Sequence, residues 1–192
     1  MMKKTAAKLF VISAPSGSGK TTLCNKLFGE RSGLERSVST TTRPPRPGEK
    51  EGVDYFFVSK KRFMRMIDND EFLEHEENFG NFYGTRKRAI NDNLKIGRSV
   101  VLSIDVKGAM KVRKAFPKKS VLIFILPPSM KVLSKRLRAR MSDHPQAILK
   151  RLSLAKKEMA YRKKYDYRII NDRLDSAYKK LKKIITLELG GA

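Results

Sequence analysis

Tryptophan is absent and cysteine occurs once, at Cys24. A single thiol forms no internal disulfide, so a cross-linked scaffold is excluded, and a lone cysteine fits a reducing compartment. No run approaches 18 consecutive apolar residues, so the sequence predicts no membrane-spanning helix. A basic start, Met1-Met2-Lys3-Lys4, precedes an apolar run from Leu9 to Ile12 that is too short for a secretory leader. The expectation is a soluble, cytoplasmic chain with no membrane partner. Acidic residues are scarce as well: 19 Asp and Glu stand against 43 Lys and Arg, a formal charge of +24.

That imbalance is uneven. Residues 1–106 carry 19 basic and 13 acidic side chains, whereas residues 107–192 carry 24 and 6, a net +18. Such a field attracts polyanions. Lysine-rich solvated helix faces give the same composition, so charge alone predicts at most non-specific contact with nucleic acid. A length of 192 residues with 40% hydrophobic content predicts one domain. Its fold buries roughly 70% of the unfolded surface, which excludes wholesale disorder. Nothing in the sequence sets an oligomeric state.

Lys8 to Ser13 is an apolar run ending in a Pro/Gly/Ser turn, which reads as a buried strand, and Lys20 to Gly29 reads as the helix after it. Val53 to Val58 is strand-like, and Ser59 caps a helix bearing Phe63, Met66 and Ile67 at helical spacing. A helix from Arg86 to Ile96 closes at Gly97. Ser99 to Ile104 and Ser120 to Leu126 are continuous apolar runs, the pattern of strands covered on both faces. Met130 to Leu137 and Gln146 to Tyr161 are helical, Tyr167 to Ile170 is a last strand, and Leu174 to Leu189 is an amphipathic closing helix. Strands alternating with helices imply an α/β fold with a parallel sheet wrapped by helices. The Pro/Gly/charge-rich stretch 39–85 and the Arg-rich stretch 136–151 break this rhythm and read as insertions, where function tends to sit.

The segment Ala14-Pro15-Ser16-Gly17-Ser18-Gly19-Lys20-Thr21 joins the first strand to the first helix. It fits the P-loop pattern, with Ala14 in the leading glycine position. Its glycines let backbone N–H groups converge on phosphate oxygens at a positive helix N-terminus. Lys20 supplies a mobile charge to the β- and γ-phosphates, and Thr21 offers a hydroxyl to Mg²⁺. The Ala/Gly-x4-Gly-Lys-Ser/Thr pattern arises by chance in roughly 1% of chains this size, and its strand-to-helix setting lowers that further. The expected ligand is a nucleoside triphosphate; the acceptor is not specified by this motif, which kinases, GTPases and ATPases share.

On the acceptor side, Arg43 and Arg46 stand three apart in a loop stiffened by Pro44, Pro45 and Pro47. Two guanidinium forks held with little entropy left to lose suit bidentate phosphate contacts. Tyr55 and Tyr83 would add hydroxyl donors there, or simply fill the core. The acidic stretch Asp68 to Glu77 reads on its own as a solvated face. Asp105 sits at the carboxyl end of an apparent central strand, where α/β ligand sites open, and helix capping is an equally physical role for it.

Taken in order, Ser13-Ala-Pro-Ser-Gly-Ser-Gly-Lys20, Ser39-Thr-Thr-Thr-Arg-Pro-Pro-Arg-Pro-Gly48, Asp54-Tyr-Phe-Phe57, Phe72-Leu-Glu74, Gly80-Asn-Phe-Tyr-Gly84 and Ile123-Phe-Ile-Leu-Pro-Pro128 resemble guanylate kinases from about residue 8 to 189. The resemblance implies a P-loop NTPase-like core at about 1–38, 86–130 and 157–192. A GMP-binding insertion at about 39–85 and a helical lid at about 131–156 complete one domain. It implies transfer of the γ-phosphoryl of ATP to GMP, with Mg²⁺, in purine nucleotide metabolism. Residues 14–21 would bind ATP, and Ser39, Arg43, Arg46, Tyr55, Glu74, Tyr83, Thr85 and Asp105 would bind GMP. Glu74 looks like the guanine reader, since one carboxylate accepts from N1–H and the 2-amino group side by side while adenine offers the opposite pattern at N1.

Arg136, Arg140 and Arg151 match lid arginines that neutralise the spreading charge of phosphoryl transfer beside Lys20. Arg138 and His144 read as solvated. Several positions depart from the family: Ser103 replaces the first residue of an Asp-Ile-Asp run, Lys107 a common glutamine, and Met141 a glycine in the lid turn. Asn171-Asp172 matches a pair near the adenine ribose, and Cys24 reads as a small buried hydrophobe. Three alternatives stand beside this reading: a P-loop kinase with another phosphorylated acceptor, a guanylate-kinase-like binding module without turnover, and a nucleic-acid-binding protein.

Overall fold

The computed structural model describes residues 6–30, 33–78, 80–139 and 145–191. In chain order the first elements are β1 (Leu9–Ser13), α1 (Lys20–Gly29), β2 (Glu35–Arg36), β3 (Ser39–Thr41), β4 (Tyr55–Phe57) and α2 (Lys60–Asp68). Next come β5 (Phe72–Asn78), β6 (Asn81–Arg86), α3 (Lys87–Lys95), β7 (Val100–Ser103) and α4 (Val106–Ala115). The chain continues through β8 (Ser120–Leu126), α5 (Met130–Arg138), α6 (Pro145–Ala160), a 3₁₀ turn (Tyr161–Lys164), β9 (Tyr167–Ile170) and α7 (Leu174–Glu188).

A five-stranded sheet runs β2-β7-β1-β8-β9 with every pairing parallel. Its three central strands, β7, β1 and β8, are largely apolar and buried because both faces are covered, whereas the edge strand β2 is Glu35-Arg36. Along β1, Phe10 and Ile12 join the core under α1 and α7, while Leu9 and Val11 join the one under α3 and α4. The two-residue period of a strand thus splits one run, Leu-Phe-Val-Ile, between two layers. Cys24 lies buried in the first layer, a small apolar filler.

A second, four-stranded sheet has the order β4-β3-β6-β5, with β3 and β4 parallel and the β3–β6 and β6–β5 pairs antiparallel. This sheet is the part least visible in the sequence. The strand expected from Val53 shrinks to Tyr55–Phe57 because Gly52 turns at φ +72° and Asp54 Oδ2 accepts from the Lys50 N–H at 2.9 Å. The helix expected from Arg86 starts at Lys87, since Arg86 is the last residue of β6. Ser59 does cap α2, accepting from the Arg62 N–H. That helix seats Phe63 on the ring of Phe72 at 4.5 Å and beside Phe82 at 5.5 Å, and so fixes β5 and β6 from below.

Finally, α5 and α6 pack on each other through Leu133, Leu137 and Ala155. Among the described residues no helix is long and apolar enough to cross a membrane. Phe63 is fully buried, so Phe63→Ala is expected to cost about 3–5 kcal/mol. Urea unfolding would show this as a lower midpoint at an unchanged slope, and an unmoved midpoint would show that α2 does not prop the second sheet.

Candidate active site

The turn between β1 and α1 takes its shape from two left-handed glycines. Gly17 and Gly19 both adopt φ +87°, a region costly for any residue with a Cβ. Space forbids one too: a Cβ on Gly19 would lie 2.3 Å from Asn171 Nδ2, and one on Gly17 would meet Leu133 and Leu137 at 3.0 Å. The Ser18 N–H closes the loop on the Pro15 carbonyl at 3.1 Å. Asn171, 4% exposed, donates from Nδ2 to the Ser18 carbonyl at 2.8 Å and braces the loop from behind. Lys20 is half-buried, and its ammonium donates to the Ile104 carbonyl at 3.1 Å. Burial pulls its pKa down, with Cys24 and the carboxylates of Asp105, Glu158 and Glu74 opposing.

One cleft of about 290 Å³ joins this turn to the second sheet. From the loop side it is lined by residues 14–17 and 19–22, and from the sheet side by Ser39, Tyr55, Glu74, Glu76, Asn78 and Tyr83. Ser103, Ile104 and Asp105, at the end of β7, form its floor, and Leu154 and Glu158 of α6 reach it from the far side. Glu74 and the P-loop therefore share one cavity.

Glu74 points inward from β5 and is 5% exposed. Thr85, opposite it on β6, donates to Oε1 at 2.5 Å. On the other side stands Gly108, in the first turn of α4, where a Cβ would stand 2.4 Å from Glu74 Oε2. Burial raises the Glu74 carboxyl to about 7, with the Thr85 hydrogen bond pulling the other way and Asp105 adding to the push. Asp105 does cap a helix: Oδ1 accepts from the Lys107 and Gly108 N–H groups at 2.9 and 2.8 Å, while Oδ2 accepts from Asn78 at 2.9 Å. Tyr55 and Tyr83 meet edge to face, ring centroids 6.1 Å apart, with hydroxyl-bearing rings on the cleft wall.

The arginines lie around this cavity: among the described residues none lines it, and Lys20 is the one cation on its wall. Arg43 Nη2 bonds both carboxylate oxygens of Glu49, at 2.8 and 2.9 Å, and its Nη1 donates to the Pro44 carbonyl. Its guanidinium lies 5.5 Å from the Tyr55 ring. Glu49 also accepts from the Arg46 N–H at 2.8 Å, so one carboxylate shapes the whole proline loop. Arg46 itself is exposed and borders an adjoining hollow that shares Thr21, Ser39 and Tyr55 with the cleft. Arg136, on α5, donates to the Asn171 carbonyl at 3.0 Å, next to the P-loop brace. Arg151 is half-buried on α6, and Arg138 is exposed. Arg140, Met141 and His144 lie outside the described residues.

The family model for guanylate kinase matches residues 6–188. The chain belongs to the guanylate kinase family. A guanylate kinase from Nitrosospira multiformis is 48% identical over 187 residues, covering 97% of this chain and 89% of its own. A crystal structure of guanylate kinase from Anaplasma phagocytophilum superposes with a TM-score of 0.82 at 37% identity, over 96% of this chain and 87% of that one. A shikimate kinase from Bacteroides thetaiotaomicron, 15% identical, superposes at 0.50 over 93% of this chain and 98% of its own, a likeness of fold alone.

Within this guanylate kinase fold several contributors escape a reading of the sequence. Glu49 sits three residues after Arg46, an ordinary turn spacing among exposed charges. Gly108 lies inside the first turn of α4 with no turn signal; its closeness to Glu74 explains it. Glu158 lies in a lysine-rich helix and has the look of a solvated charge, yet burial raises its carboxyl to about 7 against the pull of Lys20.

The raised Glu74 carboxyl makes stability depend on pH with a definite sign. The folded protein keeps this proton where the unfolded chain, with an ordinary value of 4.5, has lost it. Stability from this group is full below about 4.5 and falls as the pH rises through about 7. Chemical denaturation of the native protein and Glu74→Gln at pH 4 and pH 8 should show the variant gaining about 2–3 kcal/mol relative to the native protein at the higher pH. An offset independent of pH would place the carboxyl in contact with water.

Proposed function

We infer that this chain is a guanylate kinase that transfers the γ-phosphoryl group of ATP to GMP, giving ADP and GDP. The observation that carries the inference is the single cleft holding the P-loop at one wall and a buried, singly hydrogen-bonded glutamate at the other. In this reading residues 14–21 bind the ATP phosphates, with backbone N–H groups of the glycine turn and the Lys20 ammonium as donors. As a carboxylate, Glu74 accepts from guanine N1–H and the 2-amino group. Adenine places an acceptor at N1, which would leave that buried carboxylate unpaired, and discrimination of roughly 10⁴-fold is attainable in such sites. Ser39, Thr85 and Asp105 complete the base site. Arg43, Arg46, Tyr55 and Tyr83 hold the GMP phosphate, with Glu49 keeping the Arg43 guanidinium in place beforehand.

The rest of the chain takes its parts accordingly: residues 39–85 form the GMP-binding insertion, and 131–156 form a lid that brings Arg136, Arg140 and Arg151 to the phosphates. Mg²⁺, when bound, supplies positive charge to the β- and γ-phosphate oxygens. The donors present suit it: Thr21 is exposed on the cleft wall, and Glu158 Oε2 is a buried oxygen with no hydrogen-bond partner. No covalent enzyme intermediate is needed, since in-line positioning and charge neutralisation account for the chemistry.

ADP release with a panel of monophosphates tests the assignment. GMP should exceed AMP and UMP by orders of magnitude, and equal turnover with AMP, UMP or water would refute it. Lys20→Ala should lower kcat by roughly 10²–10³-fold or more with GMP affinity largely kept. Arg43→Ala should instead raise the GMP Kd by about 10–100-fold. A comparable loss of GMP affinity in both variants would contradict this division of labour.

A further inference from the structure

Among the described residues four carboxylates line the cleft, and three have partners. Glu74 holds the Thr85 hydroxyl, Asp105 takes three donors, and Glu76 pairs with Lys111 at 2.7 Å and Lys107 at 3.5 Å. The fourth is Glu158, near the C-terminal end of α6. Its Oε2 is shut off from solvent and accepts no hydrogen bond among the described residues. An unpartnered buried carboxylate oxygen is costly, and native structures keep one where a ligand supplies the missing donors. Leu154, one turn earlier on α6, lines the same wall, so this helix face is turned toward the P-loop.

Two cations would satisfy Glu158. The Lys20 ammonium feels its charge, but it is tied to the Ile104 carbonyl and is the one wall cation available to the phosphates. The alternative is a hydrated divalent cation carried in with the nucleotide. Mg²⁺ sheds water reluctantly, so a site for it combines substrate phosphates and a hydroxyl with carboxylates that accept from its water shell. Thr21 supplies such a hydroxyl on the same wall.

We propose that Glu158 is a positioning residue that accepts hydrogen bonds from the waters of the Mg²⁺ bound with ATP, fixing that ion between Thr21 and α6. This rests on the reading of the P-loop as the ATP site. It also gives α6 a second task, because the helix that carries Arg151 would then sense the loaded nucleotide through its own carboxylate.

The test compares native protein, Glu158→Gln and Glu158→Asp by equilibrium binding of a fluorescent ATP analogue, with and without Mg²⁺, and with GMP affinity measured alongside. Glu158→Gln should leave metal-free nucleotide affinity and GMP affinity unchanged while raising the Mg²⁺ concentration for half-saturation about 10-fold or more. Glu158→Asp, which keeps the charge, should recover part of that loss. An unchanged Mg²⁺ requirement in Glu158→Gln would overturn the proposal. So would an equal loss of nucleotide affinity with and without the ion, which would place the carboxylate on Lys20. Native protein that binds no nucleotide with or without Mg²⁺ would instead refute the ATP site itself.

Discussion

A carboxylate held at 5% exposure inside a chain of net charge +24 is expensive, and this fold keeps it there with few donors. Glu74 has one hydroxyl, from Thr85, and a glycine that leaves room beside its second oxygen. None of the surplus lysines and arginines forms an ion pair with it among the described contacts. Everything about its surroundings leaves hydrogen-bonding capacity directed into the cleft. The antiparallel β5–β6 pair fixes the register that sets Glu74 opposite Thr85, the aromatic seat on α2 holds that pair, and the Asp105 cap starts α4 where Gly108 can face the carboxylate.

The same logic governs the cations. With four acidic side chains and one lysine on its wall among the described residues, the cleft is poorly matched to two phosphorylated substrates, so charge has to come from the rim. Two of the rim arginines are anchored beside it. Arg43 is clasped by Glu49, and Arg136 is tied to the carbonyl of Asn171, whose side chain also braces the P-loop at Ser18. A shift of α5 is thus mechanically linked to the phosphate cradle through one residue. The Leu133 and Leu137 side chains against Gly17 make the same connection through packing.

Much of the core was legible because it obeys simple periods. Apolar runs marked β1, β7 and β8, glycine and lysine marked the cradle, and Ser59 marked the start of α2. The second sheet was harder to read. Phe-Leu-Glu-His-Glu-Glu-Asn in β5 is a strand whose cleft-lining residues, Glu74, Glu76 and Asn78, are polar, so residues alone suggest a solvated face; only the resemblance to a family pointed to Glu74. Asp105 carried two readings, cap and cleft residue, and the geometry supports the first fully while placing it on the cleft floor. Glu49, Gly108 and Glu158 act through tertiary contacts between residues far apart in the chain or against ordinary local patterns, and no local signal announces them.

The central claim is that Glu74 is a buried acid whose ionised form is what a guanine base recognises. The most direct measurement is the titration of its side-chain carboxyl carbon by NMR, in protein labelled at glutamate and assigned by loss of the signal in Glu74→Gln, free and saturated with GMP. The account predicts a midpoint near 7 in the free protein. With GMP bound, the carboxylate signal should persist well below that pH, because two donated hydrogen bonds favour the charged form. An ordinary carboxyl midpoint that GMP leaves unmoved would contradict it.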